Sequence, residues 1–366
     1  MTRQILLLAL GILTTVDTLA EPAETGISGV YEVMTGVTDT AATVQYFEQF
    51  GFRTVAEATL TAAEAQIRYG VNSALRSTRM QNGDIDTHGL LRILEWEEPV
   101  GPGVGYAPPE TIGIRMAVAR TRDIFRLEDI FNDARSSGEP WFFTPPVYDD
   151  LYGMTDGALG IVNRRVGVRE AAAYGAGFSH VFYQRYGYVI PGYGTIGDHS
   201  PLQTSEFTHH DFIIRGDIAE VTDYYETVLG FRSEAEPELD GDWRAGPQAV
   251  FHMPTGASHM YRGFVSPNNI CGKLKFFAPT YPVHDGSDRV RPGALGITLH
   301  SLYTGRLAKV HGLAVDAGLE PTAILENEFG EASFVFTGPD GATWQVLAAS
   351  GQGTPVLELD FQRVDN

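Results

Sequence analysis

The chain has 366 residues, with 46 Asp+Glu against 26 Lys+Arg, a formal net charge of −20, 43% hydrophobic residues and one cysteine. That length is ample for two cores, while so negative a surface repels phosphate backbones and argues against a nucleic-acid partner. The only lysines are Lys273, Lys275 and Lys309, so there is no polybasic run for a membrane surface, and Cys271 has no partner for an intrachain disulfide.

Residues 1–20 read as an export signal. Arg3 supplies the positive start, Ile5 to Val16 an apolar run too short to span a bilayer comfortably, and Thr18-Leu19-Ala20 a small-residue cleavage site before Glu21-Pro22. The expectation is a mature chain outside the cytoplasm, periplasmic or secreted; the alternative is a retained anchor. No later segment is apolar for long enough to form a transmembrane helix.

Four similar units follow. The first, about 27–100, runs from an apolar strand through Asp39 as N-cap and an amphipathic helix to Gly51-Phe52-Arg53. The second, about 110–165, opens on Ile112-Gly113-Ile114-Arg115-Met116 and continues into a helix marked by Ile124, Leu127, Phe131 and Ala134. Residues 166–207 are rich in Gly and Tyr and read as a linker. Within them, Gly192-Tyr193-Gly194-Thr195-Ile196-Gly197 matches the dinucleotide fingerprint by letter. Pro191 before it and Asp198-His199-Ser200-Pro201 after it deny it the required strand and helix, so the reading is a loop. Tyr183, Tyr186, Tyr188 and Tyr193 in this stretch are taken as packing residues.

The third unit, about 205–282, repeats the first. Asp217 and Glu220 form a capping-box pattern, Ile218, Val221, Tyr225 and Val228 recur at helical spacing, and Gly230-Phe231-Arg232 closes the helix. The fourth, about 292–350, repeats the second from Leu295-Gly296-Ile297-Thr298-Leu299 through Leu307, Val310, Ala314 and Ala317. The order is A, B, A′, B′. The expected division is 1–20 signal, 27–165 first pair of units, 166–207 linker, 208–350 second pair and 351–366 tail.

Two stretches carry a family resemblance. His210-Asp211-Phe212-Ile213-Ile214-Arg215-Gly216-Asp217 runs into the Tyr224-Tyr225-Glu226 helix, and Phe336-Thr337-Gly338-Pro339-Asp340-Gly341 turns into Thr343-Trp344-Gln345-Val346-Leu347. In these the chain resembles the vicinal oxygen chelate superfamily, which includes glyoxalase I, extradiol dioxygenases and antibiotic-resistance proteins. The resemblance covers about 300 residues. It implies an α+β fold of four βαβββ modules paired into two cup-shaped mixed sheets. It also implies a divalent metal such as Fe, Mn, Zn or Ni, held by residues from the first and last strands of the modules.

Carried over residue by residue, the resemblance gives His210, His300 and Gln345 as the metal set of the C-terminal cup, with Gly296 standing where a second histidine belongs. Lys275 falls on the last strand of the third unit, where an ammonium repels a cation; it reaches solvent, pairs with a carboxylate or binds an anionic ligand. In the N-terminal cup Glu32 stands at a histidine position, Arg92 at a last-strand position, Gly113 matches Gly296, and Ile161 lies near the remaining ligand position. Glu32 and Arg92 are expected to pair or to clamp a polar ligand. His252 and His259 are the acid/base candidates, with two ordinary hairpin histidines as the alternative. The chain lacks a His-Glu-x-x-His helix, a Gly-x-Ser-x-Gly elbow and a Gly-Lys-Ser/Thr loop. Two functions follow: an exported binder of a small organic molecule whose metal site has degenerated, and a metal-dependent enzyme of the glyoxalase or ring-cleaving type. A purely partner-binding role is a third.

Overall fold

The computed structural model describes residues 24–150, 166–234, 248, 250–254, 256–267, 269, 271–349 and 362–363. The export signal, Ile161 and most of the tail lie outside these described residues. The first module comprises β1 (Glu32–Val37), α1 (Thr40–Gln49), β2 (Phe52–Leu60), α2 (Ala62–Tyr69), β3 (Leu75–Asn82) and β4 (Leu90–Trp96). The second has β5 (Arg115–Thr121), α3 (Ile124–Ser136), β6 (Phe142–Phe143), β7 (Val147–Asp150), β8 (Gly167–Tyr174) and β9 (Ser179–Tyr186). After β10 (Tyr188–Val189) comes the third, β11 (Thr204–Ile213), α4 (Ile218–Thr222), α5 (Tyr224–Thr227), β12 (Arg232–Glu234), β13 (His259–Val265) and β14 (Lys273–Pro279). The fourth holds β15 (Gly296–Thr304), α6 (Leu307–Asp316), β16 (Leu325–Glu326), β17 (Ala332–Thr337) and β18 (Thr343–Ala348), and β19 (Gln362–Arg363) pairs with β10.

Local chemistry starts the helices where the sequence places them. Asp39 accepts the Ala42 N–H at 2.9 Å, Asp123 the Arg126 N–H at 3.1 Å, and Asp217 the Ala219 N–H at 2.9 Å. The helix α2, which the hydrophobic pattern did not reveal, has a capping box between Thr61 and Glu64 and ends at Gly70 in the left-handed conformation.

The two sheets pair the modules differently from the expectation of consecutive pairs. One sheet has the order β2-β3-β4-β1-β15-β18-β17-β16 and joins module one to module four; the other, β6-β8-β9-β5-β11-β14-β13-β12, joins module two to module three, with β7 also on β8. Each first strand runs parallel to its own last strand and leaves one edge open. That edge is closed by an antiparallel first strand, β1 with β15 and β5 with β11. Only 17 residues separate β9 from β11, so module three adds directly to module two. The segment read as a linker is thus largely sheet: β8 and β9 are the last two strands of module two. Ala171-Ala172-Ala173 carries little strand propensity of its own and is held by its neighbours.

The helix-bearing faces of the sheets meet in a seam. On the module three and four side, Phe212, Phe276, Tyr225, Phe264, Val310, Phe334 and Trp344 share one core. On the module one and two side, Phe47, Phe52, Ile93, Ala117, Leu127, Phe131 and Phe182 share another. Gly272, at φ 113°, lets the sheets approach: its carbonyl accepts the Val30 N–H at 2.9 Å, and a Cβ there would lie 2.3 Å from that nitrogen. The opposite faces are the insides of the two cups, and each has its own core.

Candidate functional site

Because module one pairs with module four, Glu32, Arg92 and Gln345 converge in the first cup. Glu32 stands opposite Ser301 across the β1–β15 junction. Its carboxylate accepts Arg79 Nε at 2.5 Å, Arg92 Nε at 3.2 Å, Ser301 Oγ at 2.7 Å, and Arg92 Nη2. Burial alone raises this carboxyl, but Arg79 and Arg92 outweigh it and hold it at about 2. Arg92 Nη1 also donates to Gln345 Oε1 at 2.8 Å and Glu328 Oε1 at 3.2 Å. Gln345 Nε2 in turn donates to Tyr69 Oη at 3.1 Å and Ser333 Oγ at 3.2 Å. Arg79 closes the outer side by a two-point contact with Glu331, at 3.0 and 2.7 Å.

The inward positions of the first and last strands in this cup, where the resemblance implies metal ligands, therefore hold Glu32, Arg92 and Gln345, with Ser301 opposite Glu32 in place of the expected Gly296. A divalent ion needs lone-pair donors converging on it, whereas a guanidinium offers only N–H groups and already carries the positive charge. These residues do not fit the metal. Among the described residues no group of three or more His, Cys, Asp or Glu is arranged to hold one.

His210 and His300 lie elsewhere. Both are fully buried in the seam, with ring centroids 5.3 Å apart and edge-on to each other; His300 packs against Phe212 and Trp344, and His210 against Phe207. Neither ring has a hydrogen-bond partner among the described residues; the edge-to-face contact gives an N–H only an aromatic face. Burial pushes His210 down to about 3, and burial followed by the His210 and Arg115 charges lowers His300 as well. Gln345 is on the cup face of β18, next to the seam-facing Trp344, so the set His210, His300 and Gln345 does not assemble.

Two backbone details displaced these histidines. β1 runs to Val37, two residues before the N-cap Asp39, whereas β11 ends at Ile213 and passes Ile214, Arg215 and Gly216 (φ 100°) before Asp217. Equal distance from the cap therefore means opposite faces, and His209 rather than His210 enters a cup. On β15 the register slips between Ile297 and Leu299, which face Thr35 and Met34; this bulge puts His300 on the face opposite to the one counted from Gly296.

The second cup presents His209, Asp211, Lys273 and Lys275, since β11 and β14 pair His209 with Lys273 and Asp211 with Lys275. Tyr193 Oη lies 3.1 Å and Thr208 Oγ 3.0 Å from His209 Nδ1. Burial, then the Lys275 and Lys273 charges, keeps His209 well below its ordinary value. Lys273 pairs with Glu234 at 2.6 Å, and Lys275 is half-buried. His259 is buried beside Phe277, ring centroids 5.2 Å apart, near Tyr261. His252 is exposed at φ 50° and packs on Phe142, so the acid/base pair is split between a cup wall and the surface. Tyr174, Tyr183, Tyr193, Met116, Val118 and Phe251 supply the apolar wall.

The Gly-rich fingerprint is a loop, as its flanks indicated. Its Gly194 and Thr195 N–H groups donate to the buried Glu206 carboxylate at 2.8 and 2.9 Å, so the chain supplies the anion itself. His88 lies 3.5 Å from Glu206 and is pushed up to about 10: burial lowers it, but Cys271 and Glu206 outweigh that. Sequence reasoning missed Arg79, Glu328, Glu331, Tyr69 and Ser301. Arg79 alone left a trace, an arginine inside a central strand; the others are common surface residue types in turns and helix ends.

No family model matches the chain, nor does any curated protein. Solved structures do. A putative dioxygenase from Bacillus subtilis subsp. subtilis str. 168 is 10% identical, with 89% of this chain and 87% of that one covered at a TM-score of 0.56. One point mutant of glyoxalase I from Zea mays is 14% identical, with 88% of this chain and 94% of that one covered at a TM-score of 0.50, and a second covers 88% and 92% at the same score. At these identities the likeness is one of fold, the vicinal oxygen chelate fold in its four-module form.

Proposed function

We propose that this protein is an exported binder of a small organic molecule, which uses the vicinal oxygen chelate fold without its metal and takes its ligand in the second cup. The observation that carries the reading is Arg92, a guanidinium at the centre of the first cup's metal positions, bound to Glu32 and Gln345. Metal chemistry through His210, His300 and Gln345 is set aside because they face different compartments. The second cup is the better receptor: a neutral His209 and a half-buried Lys275 opposite Asp211 stand against an aromatic wall, which suits an apolar body with an acidic or phenolic head that enters between them. Export rests on residues 1–20 and is checked by the N-terminal sequence of the processed chain.

Binding is tested by thermal unfolding with a panel of aromatic acids, phenols and their neutral isosteres. A ligand at 100 times its Kd stabilises by about 2.7 kcal/mol, a clear rise in Tm. The expected result is a saturable rise for acids or phenols that Lys275→Met and His209→Ala remove. A panel without any saturable response, or one that both variants retain in full, contradicts the reading.

A further inference from the structure

The first cup already holds a carboxylate that does not belong to its walls. Glu328 sits in the five-residue turn between β16 and β17, with its backbone partly exposed and its side chain wholly buried. Three donors from three other elements meet its carboxylate: Tyr69 Oη at 2.7 Å from α2, Ser77 Oγ at 2.7 Å from β3, and Arg92 Nη1 at 3.2 Å from β4. The next residue, Phe329, lays its ring over Arg79 at 4.2 Å and Arg92 at 5.1 Å. The dipeptide thus presents a carboxylate and an aromatic ring to a receptor of module-one donors and cations, which Gln345 of module four braces from behind.

Much of that receptor is held from outside the turn, although Arg79 gives up Glu331 when the turn leaves. Arg92 keeps Glu32 and Gln345, and Tyr69 keeps Gln345, whether or not Glu328 is present. The turn is in turn self-contained: Asn327 Oδ1 accepts the Phe329 and Glu331 N–H groups at 2.9 and 3.0 Å, and its Nδ2 donates to Glu331 at 2.8 Å. It hangs on β16, a two-residue strand at the sheet edge. The charges also favour an exchange. With the turn in place two arginines face Glu32, Glu328 and Glu331; with it withdrawn Arg79 and Arg92 face Glu32 alone, and two cations against one anion leave a single positive charge, which one carboxylate neutralises.

We infer that the first cup is a binding site for a small aromatic carboxylate, that Glu328 and Phe329 occupy it as a tethered stand-in, and that the 327–331 turn moves aside to admit the free molecule. The site is separate from the second cup and does not depend on the function proposed for it. A tethered competitor at high effective concentration weakens any free ligand, so the wild-type chain binds only when the ligand's contacts exceed those of the dipeptide.

The test uses benzoate as probe and a Lys275→Met background to silence the second cup. Removing the stand-in with Glu328→Ala and Phe329→Ala is expected to lower Tm, and benzoate to restore it saturably. Chloride at equal ionic strength and neutral benzyl alcohol are expected not to. The wild-type turn weakens the response about tenfold or more. A folded variant that benzoate stabilises no better than benzyl alcohol overturns the proposal. Should the double variant not fold, amide hydrogen exchange on the chain with the turn intact decides. Faster exchange at Phe329 and Glu331 in benzoate than in chloride supports the exchangeable turn, and identical exchange overturns it.

Discussion

The two cups have the same strand order and opposite contents. In the first, polar side chains saturate one another: Glu32, Arg79, Arg92, Gln345, Glu328 and Glu331 form one network, and α2 with Leu60, Tyr69, Leu94, Trp96 and Leu299 fills the remainder. In the second, aromatic rings line the wall and the charged groups are spread along β11 and β14. The contrast teaches that side chains alone can tie four inward strands together: in the first cup a guanidinium with carboxylate and amide partners does so. The cost of burying it is offset by those partners.

Breaking that network is therefore the largest effect expected. Arg92→Met leaves buried Glu32 with Arg79 and Ser301 and buried Glu328 with hydroxyl donors only, and should cost about 3–5 kcal/mol in urea unfolding, while adding Glu32→Leu should recover part of the loss. A loss under about 1 kcal/mol, typical of exposed pairs, would mean that water reaches the cluster.

The seam sharpens the comparison through pH. His210, folded value about 3, and His300, also lowered, are neutral in the fold and charge on unfolding. Their contribution is complete above the unfolded value near 6.5 and declines as pH falls through the folded values, by about 1.4 kcal/mol per pH unit for each site. His180 and His209 are lowered too and add to the same slope. Glu32, held at about 2, begins to lose its contribution only below about 4.5. His88 has the opposite sign, with stability complete below 6.5 and lost as pH rises towards about 10. Stability should peak near pH 6.5, and His210→Phe should reduce the acid slope between pH 6.5 and 4.5 by one proton. An unchanged slope would mean that His210 is already solvated.

The smallest effect concerns what covers the first cup. Thr61→Ala removes the hydroxyl half of the α2 capping box, leaving the backbone N–H of residue 61 on Glu64, and should cost about 1 kcal/mol without altering ligand response in the second cup. A change in that response would couple the two cups.

Much of this architecture was legible in the chain. Asp39 and Asp217 announce their helices through chemistry within one turn, and the Gly51-Phe52 and Gly230-Phe231 pairs mark equivalent buried strand entries. Asp340, read as the final turn, indeed accepts hydroxyls from Tyr224 and Tyr225 at 3.1 and 2.8 Å. What was not legible depended on counting residues across backbone irregularities or on long-range choice. Gly216 and the β15 bulge each reverse a face, so His210 and His300 were aimed at a cup they do not enter. Nothing local in β1 announces β15 rather than β5 as its neighbour, and that choice brings Arg92 to Gln345. Glu328 left no signal because its place is set by a turn closing over another module.

The most direct test of a guanidinium standing in for the metal is the metal content of tag-free, chelator-free protein after exposure to Fe(II), Mn(II), Zn(II) and Ni(II), with Tm measured alongside. The account predicts well under one bound ion per chain and an unchanged Tm with each metal. Near-stoichiometric metal that raises Tm and disappears in Gln345→Ala would contradict it.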